Sequence, residues 1–311
     1  MTATSSRDST VWAYLQMMRP ANIITAWADI LLGYAASGAA TAGLATALTA
    51  ATFAESSVSL GWLLLATTGL YGGGVVFNDV FDAELDAEER PERPIPSGRA
   101  SRQEAIALGS ILLAVGVIAA AQVSLLSALL ATFIAVAALT YDAIAKHNSL
   151  LGPLNMGLCR GANLLLGVSA IPLAVPTYWF LSLIPIVYIA AITTISRGEV
   201  HGGSRSTGIV ALLMLGTVIA GMAGLTVLSS YSGLSVLPFA LLFVALVLPE
   251  FVQATLNPTA EQIRGAVKAG IICLIVLDAA IASGFTNWIY GLAVLSLLPL
   301  SRGLAKLFSV T

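Results

Sequence analysis

The sequence predicts an all-α bundle of helices that cross a membrane many times, and three observations carry that expectation. Residues are 58% hydrophobic and only 10% charged, where a soluble domain carries about 25% charged residues. A chain this apolar lacks the polar surface to cover itself in water. Its apolar residues gather in long continuous runs, as membrane helices of ~20 residues require, rather than in the alternating segments of ~10 residues that build a transmembrane barrel. Lysine and arginine, finally, fall only in alternate connections between those runs.

Taken in order, the chain opens on a polar tail, residues 1–18, without the basic-then-apolar layout of a cleavable signal. Ten spans follow, at 22–40, 60–77, 105–121, 125–141, 154–171, 178–195, 208–228, 234–248, 267–282 and 288–300, the last being the shortest. Arg7 and Arg19 precede the first span, and Arg90, Arg93, Arg99 and Arg102 separate the second from the third. Lys146 follows the fourth, Arg197 and Arg205 the sixth, Arg264 and Lys268 precede the ninth, and Arg302 and Lys306 follow the tenth. The remaining connections hold no Lys or Arg, and the first offers only Glu55. Arg160, inside the fifth span near its start, is assigned to the same side as the others. The positive-inside rule makes that side cytoplasmic. Both termini are expected there, in the inner membrane of a bacterium. Residues 1–311 read as one transmembrane domain, whose longest polar interval, 78–104, is the cytoplasmic loop expected to carry the chemistry.

Other classes are disfavoured. Cys159 and Cys273 show neither a disulfide framework nor metal-type spacing and read as packing residues. A net charge of −2 argues against nucleic acid as a partner. Glycines at 72–74, 157, 161 and 167 permit close helix approach in lipid.

The interval after the second span reads FNDVFDAELDAEERPERPIPSGRAS. Asn78, Asp82 and Asp86 are four apart, and Asp79 lies three before Asp82, so on a helix they share one broad face. Three carboxylates so placed repel one another unless a cation sits among them. Mg²⁺ favours a few carboxylates completed by water and phosphate oxygens. Prolines 91, 94 and 96 then stiffen a loop whose arginines stand beside the acidic face. Carboxylates for metal and guanidinium groups for phosphate make a diphosphate site. The bland alternative is an acidic solvated loop, with Glu84, Glu88 and Glu89 as more of the same.

The segment NDVFDAELDAEERPERPIPSGRAS resembles the first aspartate motif of the UbiA superfamily of membrane prenyltransferases, with its RPxRPIPSG loop. The resemblance extends to Arg19-Pro-Ala-Asn22 opening the first span, to Tyr141-Asp-Ala-Ile-Ala-Lys146 after the fourth, and to the glycine-rich fifth. It implies nine spans around a cavity open near the cytoplasmic face, with the tenth as a C-terminal addition. It implies Mg²⁺ held on an isoprenoid diphosphate by Asn78, Asp82 and Asp86 with Asp79 in support. Arg93 and Lys146 are then the phosphate-binding candidates, and Asn22 lines the same site. Tyr141 either faces an allylic cation through its ring or is an ordinary membrane-interface tyrosine.

The second motif of that family usually offers two or three aspartates at the end of the sixth span. Here the string is Ile195-Ser-Arg197-Gly-Glu199-Val-His201-Gly-Gly203, with Glu199 its only carboxylate. Glu199 is the expected metal ligand and catalytic acid, Arg197 is expected to replace a missing cation against phosphate, and His201 is either a general base or a solvated turn residue. The string resembles the EboC-type branch of UbiA-like proteins. Asp29, Glu250 and Asp278 lie in or near apolar spans, where ionisable groups are expensive. Asp29 is expected to face the cavity, and Asp278 either does so or pairs between helices.

Two functions fit. The first is transfer of a prenyl group from its diphosphate to a lipophilic acceptor, aromatic ones included. The alternative is a non-catalytic protein whose cavity binds or passes an isoprenoid or specialised metabolite. Membrane lipid surrounds the protein in either case.

Overall fold

The computed structural model describes residues 10–41 and 50–308, apart from the side chains of residues 50–56 and His147. Arg7, residues 1–9 of the polar tail, and the Glu55 side chain thus lie outside the described residues. No β-strand occurs among those described, and every expected span is a helix. They are α2 (Pro20–Ala36), α3 (Ala50–Phe81), α5 (Arg102–Ala121), α6 (Leu125–Ala143), α7 (Leu151–Val168), α8 (Leu183–Ser196), α9 (Arg205–Gly224), α10 (Gly233–Leu256) and α11 (Ala260–Phe285). The tenth span is α12 (Trp288–Leu295) and α13 (Leu297–Leu307), broken at Ser296. Short helices include α1 (Thr10–Met17) and α4 (Ala83–Glu89).

Among the described residues, eight helical stretches are long and apolar enough to cross a membrane on their own terms. The two others, α2 and α7, are shorter or more polar because neighbours shield them from lipid: 14 of the 17 residues of α2 are buried, and α7 carries Asn155, Arg160 and Asn163. The chain is an integral, multi-pass membrane protein. Serine or threonine caps five of these helices: Ser101, Ser124, Ser204, Ser232 and Thr259 each accept a hydrogen bond from the backbone N–H three residues on.

Short connections make sequence neighbours pack side by side. From α2 through α3, α5, α6, α7, α8, α9 and α10 to α11 the helices follow one another around a ring, and α11 returns to α2. The tenth span lies outside it against α2, where the Tyr290 hydroxyl donates to the Leu31 carbonyl at 2.9 Å and Ser301 Oγ to the Ala21 carbonyl at 2.9 Å.

Two differences from the sequence expectation bear on the site. Part of the polar tail is the helix α1, which buries Ala13 and Met17 against Val76, Val80 and Ala105; Trp12 stacks on Phe308 with ring centroids 4.5 Å apart. The interval 78–104 is not a loop throughout, since it contains the end of α3 and all of α4.

Glycine sets how closely α2 meets α7. A methyl group on Gly167 would stand 2.5 Å from the Ile30 carbonyl oxygen, and one on Gly33 would strike the α7 backbone. The obstacle is backbone, which cannot swing aside. Gly167→Leu is therefore expected to lower the melting temperature of the purified protein strongly, beyond the roughly 1–3 kcal/mol of ordinary overpacking. Unchanged melting would show that the two helices do not touch there.

Candidate active site

Inside the ring lies a cavity of about 460 Å³. Leu70, Val75, Ile134, Ile189, Ile192 and Leu274 give it an apolar interior, and its mouth is charged.

The charged mouth is built where α3 passes into α4. Asp82 turns the chain without losing helical register: its N–H donates to the Asn78 carbonyl at 2.9 Å, and the Asp86 N–H donates to the Asp82 carbonyl at 2.7 Å. Asn78, Asp82 and Asp86 therefore stack on one face, and all three line the cavity. Each acid already has a basic partner. Lys146 Nζ pairs with Asp82 Oδ1, and Arg93 Nη1 lies 2.8 Å from Asp86 Oδ2. Asn78 Nδ2 donates to Asp82 Oδ2 at 3.1 Å and to Asp142 Oδ1 at 2.8 Å.

Asp79 turns the other way. It is buried and outside the cavity lining, accepting from Arg19 Nη2 at 3.0 Å and Arg93 Nη1 at 3.3 Å. In this structure it holds two arginines rather than joining Asp82 and Asp86. Arg19 reaches it from a left-handed backbone conformation, φ 47° and ψ 66°, immediately before Pro20. A non-glycine residue pays roughly 1–2 kcal/mol for that region, and such strain gathers where surrounding contacts over-determine it.

Glu199, in the turn after α8, lines the same cavity. Its Oε1 is buried without a hydrogen-bond partner among the described residues. Burial raises its carboxyl above the ordinary glutamate range, against the opposing pull of Arg90, Arg264 and Arg19. Asn22, Arg93, Tyr141 and Lys146 also line the cavity.

Arg197 and His201 do not. Arg197 is exposed, and its Nη2 donates to the Asn148 carbonyl at 2.5 Å, bracing the turn after α6. His201 is an exposed turn residue beside Gly202, which takes φ 84°. Asp29, expected to face the cavity, turns instead to Arg160, their Oδ2 and Nε 2.5 Å apart. Arg160 sits in the middle of α7 rather than near its start, so it departs from the one-sided set of basic residues.

Several lining residues went unassigned from sequence: Arg19, Arg90, Asp142, Arg160 and Asn163. Asp142 stood inside the Tyr141–Lys146 string and Arg19 inside Arg-Pro-Ala-Asn, so the signal was present for both. Cys159, read as packing, borders the cavity as well.

The donors fit a hard cation. They are oxygens, and Glu199 Oε1 has no donor of its own. No three His, Cys, Asp or Glu side chains among the described residues converge as an all-protein metal site. An ion such as Mg²⁺ takes one or two carboxylates and completes its shell with water and substrate phosphate.

Comparison with known proteins agrees with the fold. Digeranylgeranylglyceryl phosphate synthase of Methanosarcina barkeri is 31% identical over 163 residues, 52% of this chain and 56% of that protein. The chain thus spans about half the length of this curated relative. A UbiA homologue from Aeropyrum pernix K1 superimposes with a TM-score of 0.65 at 19% identity, over 83% of this chain and 96% of that one. A UbiA homologue from Archaeoglobus fulgidus bound to GPP and Mg²⁺ does so with a TM-score of 0.51 at 16% identity, over 91% and 99%. These structures share the fold. The UbiA prenyltransferase family model matches residues 38–267, most of the chain, and the protein belongs to that family.

Proposed function

We propose that the protein catalyses Mg²⁺-dependent transfer of a prenyl group from an isoprenoid diphosphate to a lipophilic acceptor. One observation carries this: Asn78, Asp82, Asp86 and Glu199 line the charged part of one cavity, and its interior is apolar. A polar diphosphate fits the first part and an isoprenoid tail the second. The Archaeoglobus fulgidus neighbour's binding of GPP and Mg²⁺ supports the same division. The basic residues on this side make it the cytoplasmic one.

Asp82 and Asp86 would hold Mg²⁺, with Glu199 reaching it through water, and the bound ion would neutralise charge on the departing diphosphate. The protein's own cations do the rest. Lys146 and Arg93 leave Asp82 and Asp86 for phosphate oxygens, exchanging one anionic partner for another. Arg19 and Arg90, at the same mouth, add positive charge where the leaving group becomes most negative. As the allylic C–O bond breaks, its electron pair leaves with diphosphate. The apolar walls keep water from the carbon left electron-poor, and Tyr141 stands at the boundary with its ring available to that cation. The acceptor's nucleophilic atom then bonds to that carbon and loses its proton. The relatives' named product is a glyceryl phosphate bearing two geranylgeranyl groups, so phosphate-bearing acceptors belong among those tested.

Purified protein incubated with radiolabelled prenyl diphosphates and candidate acceptors is expected to release diphosphate only with Mg²⁺ present. Tight binding without release under every acceptor would favour the non-catalytic carrier instead, and absence of binding would remove both.

A further inference from the structure

Beyond the apolar middle of the cavity, α2, α7 and α11 bring Asp29, Arg160, Asn163 and Asp278 together, each no more than 6% exposed. Asp29 Oδ2 lies 2.5 Å from Arg160 Nε and accepts from Asn163 Nδ2 at 2.8 Å. Arg160 Nη2 donates to the Thr25 carbonyl at 2.5 Å, and Asn163 accepts from Thr67 Oγ1 at 2.7 Å. Arg160, Asn163, Thr25 and Thr67 line the cavity, whereas the two aspartates stand behind them.

Two features are unaccounted for by these bonds. Asp29 Oδ1 and Asp278 Oδ2 are buried without a hydrogen-bond donor among the described residues. The two carboxyls are also within hydrogen-bonding reach of each other, and carboxylates alone supply no donor. With both ionised, the cluster holds two negative charges against one guanidinium. A net charge in so dry a place is far more costly than binding one proton. Tyr71 from α3 and Tyr188 from α8 also face the cluster. Neither supplies a positive charge, and the Tyr188 hydroxyl is committed to the Gly270 carbonyl at 2.9 Å.

We propose that Asp29 and Asp278 form an intramembrane site for a single proton, carried by Asp278 and donated to Asp29. The partners decide which acid holds it. Asp29 has the guanidinium and the amide that stabilise a carboxylate, while Asp278, among the described residues, has Asp29 alone within hydrogen-bonding reach and feels Arg160 only through its charge. The cluster is then neutral, and Arg160 is fixed at the cavity floor by a charged partner behind it. An isoprenoid tail or other apolar group meets no net charge there. The site stands independently of the proposed reaction.

The test uses the full-length protein in lipid nanodiscs. Infrared absorption at neutral pH is expected to show the carbonyl stretch of a buried protonated carboxyl, lost in Asp278→Asn. Asparagine retains a donor toward Asp29 and the neutral charge, so that variant should melt within a few degrees of wild type. Asp29→Asn should lose the same band, by forcing Asp278 to ionise against Arg160, and should melt much lower. The assignment is overturned if the band survives in folded Asp278→Asn, or if Asp278→Asn is as damaging as Asp29→Asn. It is also overturned if sodium chloride, but not choline chloride at equal ionic strength, raises wild-type melting and Asp278→Asn removes the rise. That pattern assigns a sodium ion. Should neither asparagine variant fold, absence of the wild-type band decides against the proton.

Discussion

Asp82→Ala is expected to weaken Mg²⁺-dependent binding of an isoprenoid diphosphate by about ten- to a hundredfold, the effect of losing charge-assisted contacts of about 1.5–3 kcal/mol. Asp86→Ala should do the same. Both acids line the cavity and both hold a cation poised for phosphate. Removing Asp82 frees Lys146 for the anion, which restores a little affinity without Mg²⁺ and none of its metal dependence. Stability is expected to change little, because Asp82 is only half-buried and loss of the buried Asp86 leaves Arg93 still paired with Asp79. Isothermal titration with and without Mg²⁺, beside a melting curve, reads both quantities. Unchanged metal-dependent affinity in both variants would remove Asp82 and Asp86 from the site.

How far the sequence foretold this arrangement differs between its parts. The helices were legible because lipid imposes one rule on all of them, a long apolar run, and because charge alternates between their ends. The Asn78–Asp86 face was legible for a similar reason: four-residue spacing survives the turn at Asp82, where backbone hydrogen bonds keep helical register. Arg160 was not. A lone arginine in an apolar run looks like part of the nearest basic connection, and only the meeting of α2 with α7 supplies Asp29, 131 positions away in the chain. The Arg197–His201 string misled for the opposite reason. Its residue types suit phosphate, but the direction of an exposed turn is set by the left-handed Gly202 and by the Asn148 carbonyl that captures Arg197. Asp79 shows the limit of periodicity itself, since one helical step from Asn78 it faces two arginines instead of the cavity.

Glu199→Gln should raise the Mg²⁺ concentration needed for half-maximal diphosphate binding by about tenfold or more, the loss of one charge-assisted contact. Arg197→Gln should leave both Mg²⁺ and diphosphate binding near wild type, because Arg197 is tied to Asn148 outside the cavity. The pH dependence separates the acid's role from general disruption. Burial raises the Glu199 carboxyl, and the nearby arginines only partly oppose it. An acid raised on folding stabilises the protein fully below its unfolded value, near about 4.3, and that contribution is lost as pH rises through the folded value. A cation requires the ionised form. Mg²⁺ binding should therefore release a proton and tighten with rising pH across this same window, then level off above it. Glutamine cannot titrate, so Glu199→Gln should flatten the part of the rise that Glu199 supplies while Arg197→Gln retains it. A full wild-type slope in Glu199→Gln would mean that this acid takes no part in holding the ion, and strong loss of diphosphate affinity in Arg197→Gln would mean that this arginine swings from Asn148 into the cavity when substrate arrives.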